Sequence, residues 1–276
     1  MLSDCRKTGK VIGSAVASGS GGVAYVKNGT LSVYDVTLTG GIAKNGGAIV
    51  VDKDGTLNLY SGEISGNYVT GGKGGAIYVK SGGVVNMYGG TIRNNHAYSG
   101  DGGAIYVEDG GTLNLYGGTI SENTGAGIDA AYGRVTMAQQ SSAIPVEIKN
   151  NKGGAISLTQ DGSTANLGTG LITGNSGGKG AVALSAGSLT LTGDVKITGN
   201  SGANLYLASG KTVTLDKLGS GAQIGVTTED TAVPVVFAEA NGTDYASRFT
   251  PDSVGYSIGY NAAQQLQLQT ATYPVT

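Results

Sequence analysis

Several carboxylates lie beside Gly-rich segments of this sequence, and paired carboxylates are the groups that cleave glycosidic bonds by general acid and base catalysis. The acids in this setting are Asp52, Asp54, Asp101, Asp109 and Asp161. A tighter group of carboxylates would instead bind Ca²⁺, and a basic residue nearby would abstract a proton from the substrate. Either chemistry requires acids from distant parts of the sequence to converge in the folded chain.

The spacing of the charges favours a structural role over catalysis. One row alternates in sign at intervals of 25, 28 and 28 residues, and it consists of Lys27, Asp52, Lys80 and Glu108. Such a row predicts surface ion pairs, each worth about 0–1 kcal/mol. A second mixed set contains no converging acid pair, and it consists of Glu63, Arg93, Glu147 and Lys149. We therefore expect no enzyme activity, with a polysaccharide lyase or hydrolase as the alternative.

Metal and cofactor binding are not expected either. The chain has one histidine, His96, and one cysteine, Cys5, which are too few for a zinc site of the His/Cys type. His96 follows two asparagines and is predicted to be a solvated turn residue. The Gly-rich segment 71–75 continues into a strand pattern, whereas a phosphate-binding loop needs the start of a helix.

Tyrosine is the most distinctive residue on the predicted outer surface. One column contains Tyr25, Tyr78 and Tyr106, and a second contains Tyr34, Tyr60, Tyr88 and Tyr116. Stacked identical rings would stabilise neighbouring strands through cross-strand contacts. The alternative is a contact face, because rows of aromatic side chains suit sugar rings or a protein partner.

The element that positions all these residues is a repeat of 28 residues. The segment 74–95 has near copies at 46–67 and 102–123, and each copy contains three short apolar runs. In the middle copy, residues 76–79, 84–88 and 91–93 alternate between apolar and polar side chains, which predicts strands with one buried face. Three short strands cannot bury themselves alone, so the repeats are expected to stack into a parallel β-helix.

An asparagine column supports this stacking. Three positions after an apolar residue of the third strand, the sequence places Asn67, Asn95, Asn123, Asn151, Asn175 and Asn200. An asparagine at this turn can tolerate the left-handed backbone conformation. Its amide is expected to hydrogen-bond to the next asparagine along the axis, which would form a ladder.

Composition limits the partners. The chain has 276 residues and a formal net charge of −2, which gives no reason to expect nucleic acid or an anionic membrane surface as a partner. No apolar run reaches the roughly 18 residues that a transmembrane helix needs. Residues 1–10 lack the apolar region of a signal peptide, and we expect this sequence to be an excised piece of a longer exported chain.

The repeat pairs GGA with the tetrapeptide Ile-x-x-Asn, and this combination resembles repeats of bacterial surface β-helices. The tetrapeptides lie at 64–67, 92–95, 120–123 and 172–175. The repeats are similar to those of chlamydial polymorphic outer-membrane proteins and of large exported proteins of Gram-positive gut bacteria. The Gram-positive comparison is nearer, because Ile stands where the chlamydial repeat usually has Phe. Over residues 21–226 the resemblance implies a right-handed, pectate-lyase-like solenoid that lies outside the cell and serves adhesion, and it brings no catalytic residues.

We therefore predict an all-β, right-handed parallel β-helix of about seven to eight coils. Residues 1–20 are interpreted as a partial coil or linker, 21–225 as the repeats, and 226–276 as a C-terminal β cap or the start of another domain. The predicted function is that of a monomeric, adhesin-like binding or presenting stalk on the bacterial surface. Its expected partner is a host or bacterial glycan or protein, and the alternative is a carbohydrate-binding or carbohydrate-cleaving β-helix.

Overall fold

The computed structural model describes residues 2–3, 9–97, 102–240 and 243–272. Cys5 and Asp101 lie outside these ranges. The described regular structure is β, apart from the 3-10 turn Ala246–Arg248. Most strands pair in parallel with the strand about 28 residues further along the chain, and the predicted all-β parallel solenoid is confirmed.

Each turn of the solenoid contributes one strand to each of three columns. The first-strand column consists of Ala24–Val26, Ile49–Val51, Ile77–Val79, Ile105–Val107, Ile128–Ala130, Ile156–Leu158, Val182–Leu184 and Leu205–Leu207. The second-strand column consists of Leu2–Ser3, Gly29–Tyr34, Gly55–Leu59, Val84–Met87, Thr112–Leu115, Arg134–Met137, Thr164–Leu167, Ser188–Gly193, Val213–Leu218 and Val235–Glu239. The third-strand column consists of Gly9–Ile12, Val36–Thr39, Glu63–Ser65, Thr91–Arg93, Gly118–Ser121, Val146–Lys149, Gly170–Thr173, Val195–Ile197, Gln223–Thr228 and Phe249–Pro251.

The first turns carry a fourth short strand that the sequence pattern did not reveal. These strands follow the turn after the third strand, and they are Ala15–Ser20, Ile42–Asn45, Tyr68–Val69 and His96–Ala97. The ring of His96 stacks on that of Tyr68, with the ring centroids 5.1 Å apart and the planes 5° apart. The prediction that His96 is a solvated turn residue is therefore wrong, since it lies in a paired strand.

The core is continuous because the parallel register places similar apolar side chains directly above one another in successive coils. In the third column Ile64, Ile92 and Ile120 are direct partners, and each is at most 1 % exposed. In the second column Leu57 pairs with Val85, which is also buried. The period-two alternation therefore predicts the buried face, because each strand repeats the pattern of the strand beneath it.

The GGA motif brings the backbones of neighbouring coils together. Its first glycine lies in the left-handed region, as at Gly74 with φ of 72°. Its second glycine, Gly75, has no room for a side chain, because an ideal Cβ would lie 2.3 Å from the carbonyl oxygen of Gly103 in the next coil. The motif therefore serves a turn and a close approach of two backbones.

The solenoid has about nine turns, whereas the sequence predicted seven to eight. The difference arises at the two ends, where Gly9–Ile12 and Phe249–Pro251 pair in parallel with the third column. After the last turn the chain reverses, and Gln265–Thr270 pairs antiparallel with Val235–Glu239 and with Tyr256–Tyr260. Parallel pairing thus continues past the proposed boundary at residue 225 and ends in an antiparallel hairpin.

Candidate functional site

The predicted asparagine ladder lies inside the turns that follow the third strands. The Nδ2 atoms of Asn67 and Asn95 each donate to the Oδ1 atom of the next asparagine, over 3.0 Å and 3.1 Å. The same Oδ1 atom also accepts the backbone N–H of the donating residue. The pattern repeats through Asn123, Asn151, Asn175 and Asn200. From Asn67 to Asn175 these side chains are at most 1 % exposed, so they hold the coils together and are closed to a ligand.

The left-handed residue of this turn is not the ladder asparagine. The residue before it carries the positive φ, as at Asn94 with 52°, Glu122 with 58° and Asn150 with 56°. Glycine takes the same position at Gly66 and at Gly174. The left-handed turn therefore comes one residue before the ladder asparagine, because the chain must turn before the amide can point along the axis.

The ladder continues beyond the predicted column. Asn200 donates from Nδ2 to Asn204 over 2.9 Å, and Asn204 donates from Nδ2 to Oδ1 of Asp252 over 2.6 Å. The Asp252 carboxylate also accepts the N–H of Asn204 and the hydroxyl of Thr227. A carboxylate that only accepts is a suitable terminus for a chain of amides that all donate in one direction.

The tyrosines of the first-strand column are bonded to acids of the next coil. The hydroxyl of Tyr25 donates to Asp52, and Nζ of Lys80 lies 3.0 Å from the same carboxylate. The hydroxyl of Tyr78 donates to Glu108. The predicted ion-pair row therefore forms between Asp52 and Lys80, while Glu108 is bonded to a tyrosine. Burial and the bond to Glu108 raise the pKa of Tyr78.

Tyr106 lies off the core face, as the alternation predicts, but it is not open to solvent as a contact face requires. Its side chain is 5 % exposed, because Lys73 from the preceding turn lies over the ring with Nζ 4.3 Å from the centroid. The same Nζ donates to the Tyr106 hydroxyl over 2.5 Å. In this column Tyr25 alone, at 49 % exposure, presents a large open surface among the predicted three.

The second-strand tyrosines form a stack that lies beside a second row of amides. The ring centroids along Tyr34, Tyr60, Tyr88 and Tyr116 are 4.5, 4.8 and 5.1 Å apart, with interplanar angles of 6°, 7° and 25°. On the same strands Asn114 donates to Asn86 and Asn86 donates to Asn58, each over 2.9 Å. We call these seven half-buried side chains the tyrosine–asparagine face.

The stacking decides what the tyrosine–asparagine face offers to a ligand. The rings of Tyr60 and Tyr88 are covered on both sides by their neighbours, so they present edges and hydroxyl groups. Burial, followed by the neighbouring hydroxyls, raises the pKa of Tyr88. Asn86 uses one N–H and one oxygen lone pair in the row, whereas Asn58 uses only a lone pair and Asn114 only an N–H, so each amide keeps donor and acceptor capacity for a ligand. The face therefore offers polar donors and acceptors at the spacing of one coil.

Comparison with protein-family profiles matches residues 21–201 to a family described as a right-handed β-helix region. The chain belongs to the right-handed β-helix family. No curated protein and no solved structure matches the chain at the level of significance applied. This β-helix family contains enzymes, such as pectate lyases, as well as non-enzymes.

In this β-helix Glu63 and Glu147 lie too far apart to form a glycosidase pair. Glu63 and Glu147 occupy the same position of the third column three coil steps apart. At about 4.8 Å per step they are roughly 14 Å apart, whereas retaining and inverting pairs need about 5 Å and about 6.5–9.5 Å. Both are paired with a base instead, Glu63 with Arg93 at 3.2 Å and Glu147 with Lys149 at 2.6 Å.

The described part of the chain shows neither a metal cluster nor a membrane-spanning helix. Within it, no three or more His, Cys, Asp or Glu side chains are grouped so that they could hold a metal ion. None of its helices has the length and apolar character to cross a membrane. Surface ion pairs join Lys211 to Asp161 and Lys179 to Glu229.

Acid should weaken the contact at Asp52. The Tyr25 hydroxyl is the main cause that lowers the pKa of Asp52 from 3.8 to about 2. A lowered pKa contributes stability that is complete above pH 3.8 and is lost as the pH falls through 2. We expect Asp52→Asn to destabilise the chain by about 1 kcal/mol at pH 7. The difference in the free energy of unfolding between this variant and the wild type, measured by urea unfolding, should shrink as the pH falls from 4 to 2.

The control for this prediction is Asp54→Asn, because Asp54 is an exposed acid in the same turn. Asparagine also tolerates the left-handed conformation found there, with φ of 58°. We expect this variant to stay within about 0.5 kcal/mol of the wild type. An Asp52→Asn effect that does not change with pH would contradict the assignment.

Proposed function

We propose that this β-helix is a non-catalytic, adhesin-like binding segment that contacts a surface glycan through the tyrosine–asparagine face. The observation that carries the proposal is the continuity of that face over four consecutive coils. It combines four phenol groups with a row of three amides on one side of the solenoid. Hydroxyl groups of sugars hydrogen-bond to phenols and amides as both donors and acceptors.

Several observations support binding rather than cleavage. A general acid must carry a proton near neutral pH, whereas the pKa of Asp52 is lowered to about 2 and its carboxylate is bonded to Tyr25 and Lys80. Glu63 and Glu147 lie too far apart to act on one bond. The runner-up function, cleavage of a polysaccharide, would have to use acids in another arrangement.

The proposed location is the bacterial surface, as part of a longer exported chain. The resemblance of the repeats to bacterial surface proteins supports this location. The solenoid form supports it as well, because stacked coils carry a binding face along an extended axis. The proposed segment acts as a monomer, needs no cofactor, and binds neither nucleic acid nor membrane.

The proposal is tested by binding of the full chain to a broad glycan panel. We expect saturable binding that falls at least tenfold in Tyr60→Ala/Tyr88→Ala, since tenfold corresponds to about 1.4 kcal/mol. In Tyr60→Phe/Tyr88→Phe the stack remains and the hydroxyls are lost, so weaker binding by a well-folded variant would identify the hydroxyls as the contacts.

The control is Tyr25→Ala, which removes an exposed tyrosine from another column. We expect unchanged binding, and a loss equal to that of the double variant would place the site elsewhere. Release of reducing ends from a polysaccharide panel would refute the non-catalytic function. Absence of binding to any glycan and to bacterial or host cells would refute the adhesin function and favour a spacer.

A further inference from the structure

A groove opens on the solenoid where a short turn lies between two longer ones. Three residues, 131–133, join the first strand Ile128–Ala130 to the second strand Arg134–Met137. The corresponding turn has four residues, 108–111, in the coil before and five, 159–163, in the coil after. The short turn is therefore recessed, and the two longer turns form the walls of a groove of about 310 Å³.

Tyr132 lies at the floor of this groove in an unusual conformation. Its φ is 64°, and its side chain is 49 % exposed. Equivalent turns place Asn28 or Gly110 in the left-handed position, which those residue types adopt at lower cost than tyrosine. Ser163 holds the turn, because its Oγ accepts the N–H of Tyr132 over 3.0 Å and donates to Ala130 over 2.6 Å.

The ring of Tyr132 is open because glycine lies on both walls. On one side it contacts Gly162, where an ideal Cβ would lie 2.9 Å from Cδ1 of the ring. On the other side are Gly110 and Gly111. In contrast to the covered rings of Tyr60 and Tyr88, this ring is free of aromatic neighbours among the described residues, and about half of its side chain is open to solvent.

The polar groups around the ring are not engaged with one another. The groove is lined by the side chains of Asp109, Arg134, Thr112 and Thr164. Among the described residues none of these four side chains has a hydrogen bond or an ion pair. The first-strand column differs, since Tyr25, Asp52 and Lys80 are bonded together there. The groove therefore combines an open aromatic ring, one carboxylate, one guanidinium and two hydroxyls.

We propose that this groove binds one neutral hexose unit of a glycan. The negative charge of the Asp109 carboxylate balances the positive charge of the Arg134 guanidinium, which favours a neutral ligand over a charged one. A carboxylate accepts from sugar hydroxyls and a guanidinium donates to them, while the apolar side of the sugar packs on the ring of Tyr132. The volume is at the lower end of the range for small-molecule sites, which suits a single sugar unit.

The groove is separate from the tyrosine–asparagine face. Arg134 begins its second strand, whereas Tyr116 of the coil before follows the end of its own second strand. The two lie about four residues apart along the strand direction, or roughly 13 Å. The inference therefore stands or fails on its own contacts.

The test is saturation-transfer difference NMR on the full chain with methyl glycosides of glucose, galactose and mannose as probes. We expect at least one glycoside to bind, with the strongest transfer to the protons of one face of its ring. Tyr132→Asn installs the residue type of the equivalent turn, so it keeps the fold and should reduce the signal at least tenfold. Tyr132→Phe should retain most of the signal.

Gly162→Ala is a second variant that narrows the groove beside the ring, and we expect it to reduce the signal as well. The part of the signal that Tyr132→Asn removes should be the same in a Tyr60→Ala/Tyr88→Ala background, which separates the groove from the tyrosine–asparagine face. Absence of transfer from all three glycosides, or equal transfer with Tyr132→Asn, would overturn the inference. Loss of transfer in Tyr60→Ala/Tyr88→Ala alone would overturn it in favour of the face.

Discussion

Replacement of Asn123 by alanine should destabilise the solenoid by about 3–5 kcal/mol. The side chain is fully buried and donates from Nδ2 to Asn151, Ile92 and Ser121. Its Oδ1 atom also accepts hydrogen bonds from the backbone N–H and from Nδ2 of Asn95. Its removal leaves several buried polar groups unpaired, and each such group costs about 1–3 kcal/mol.

Two measurements check this prediction. Urea unfolding, monitored by far-UV circular dichroism, gives the loss in the free energy of unfolding. Hydrogen exchange shows which coils are destabilised. Because each coil contacts only its neighbours, we expect faster exchange first in the coils of Asn95 and Asn151. The matched control is Asn166→Ala, which removes an exposed asparagine of the second column and should cost at most about 0.5 kcal/mol. Equal effects of the two variants would show that the ladder adds nothing to stability.

Replacement of Gly75 by alanine should cost about 3 kcal/mol. The added Cβ would lie 2.3 Å from the Gly103 carbonyl oxygen and 2.8 Å from the backbone carbon of His96. These neighbours are backbone atoms and cannot move away by a change of rotamer as a side chain would, so the two coils must move apart. Overpacking of this kind typically costs about 1–3 kcal/mol and occasionally more.

Gly29→Ala is the matched control for this variant. Gly29 has no left-handed φ, and an ideal Cβ there would meet only the Lys27 carbonyl oxygen, at 3.9 Å. We expect a neutral or slightly stabilising effect, up to about 1 kcal/mol, because alanine restricts the unfolded chain. Thermal unfolding of both variants tests the difference. A Gly75→Ala variant as stable as Gly29→Ala would contradict the close approach.

The fold was predictable because its strongest determinants repeat in the sequence. Local alternation identifies the strands, and the 28-residue period places Ile64 above Ile92 and Asn67 above Asn95. Both signals are present in the linear sequence, and both predict the same stacked strands. The number of turns was predicted too low, since Gly9–Ile12 and Phe249–Pro251 join the solenoid without the repeat motif.

Parts of the outer surface were not predictable, because they depend on turns of unequal length. Alternation correctly places Tyr106 off the core face, yet Lys73 from a neighbouring turn covers it. The groove at Tyr132 exists only because its turn is shorter than those on either side. Its left-handed tyrosine had one signal in the sequence, the segment Ala131-Tyr132-Gly133 at the place where coil one has Lys27-Asn28-Gly29.

The asparagine ladder has a consequence for how such a chain can change in length. Every rung accepts from the rung before it and donates to the rung after it, so a duplicated unit such as 46–73 would carry its own Asn67 and fit between existing rungs. Each duplication would lengthen the axis by about 4.8 Å. At Asp252 the ladder reaches an acceptor that has no amide to donate onward. The geometry of the ladder therefore allows the repeat to be lengthened by internal duplication, in steps of one coil, without a change at its final rung.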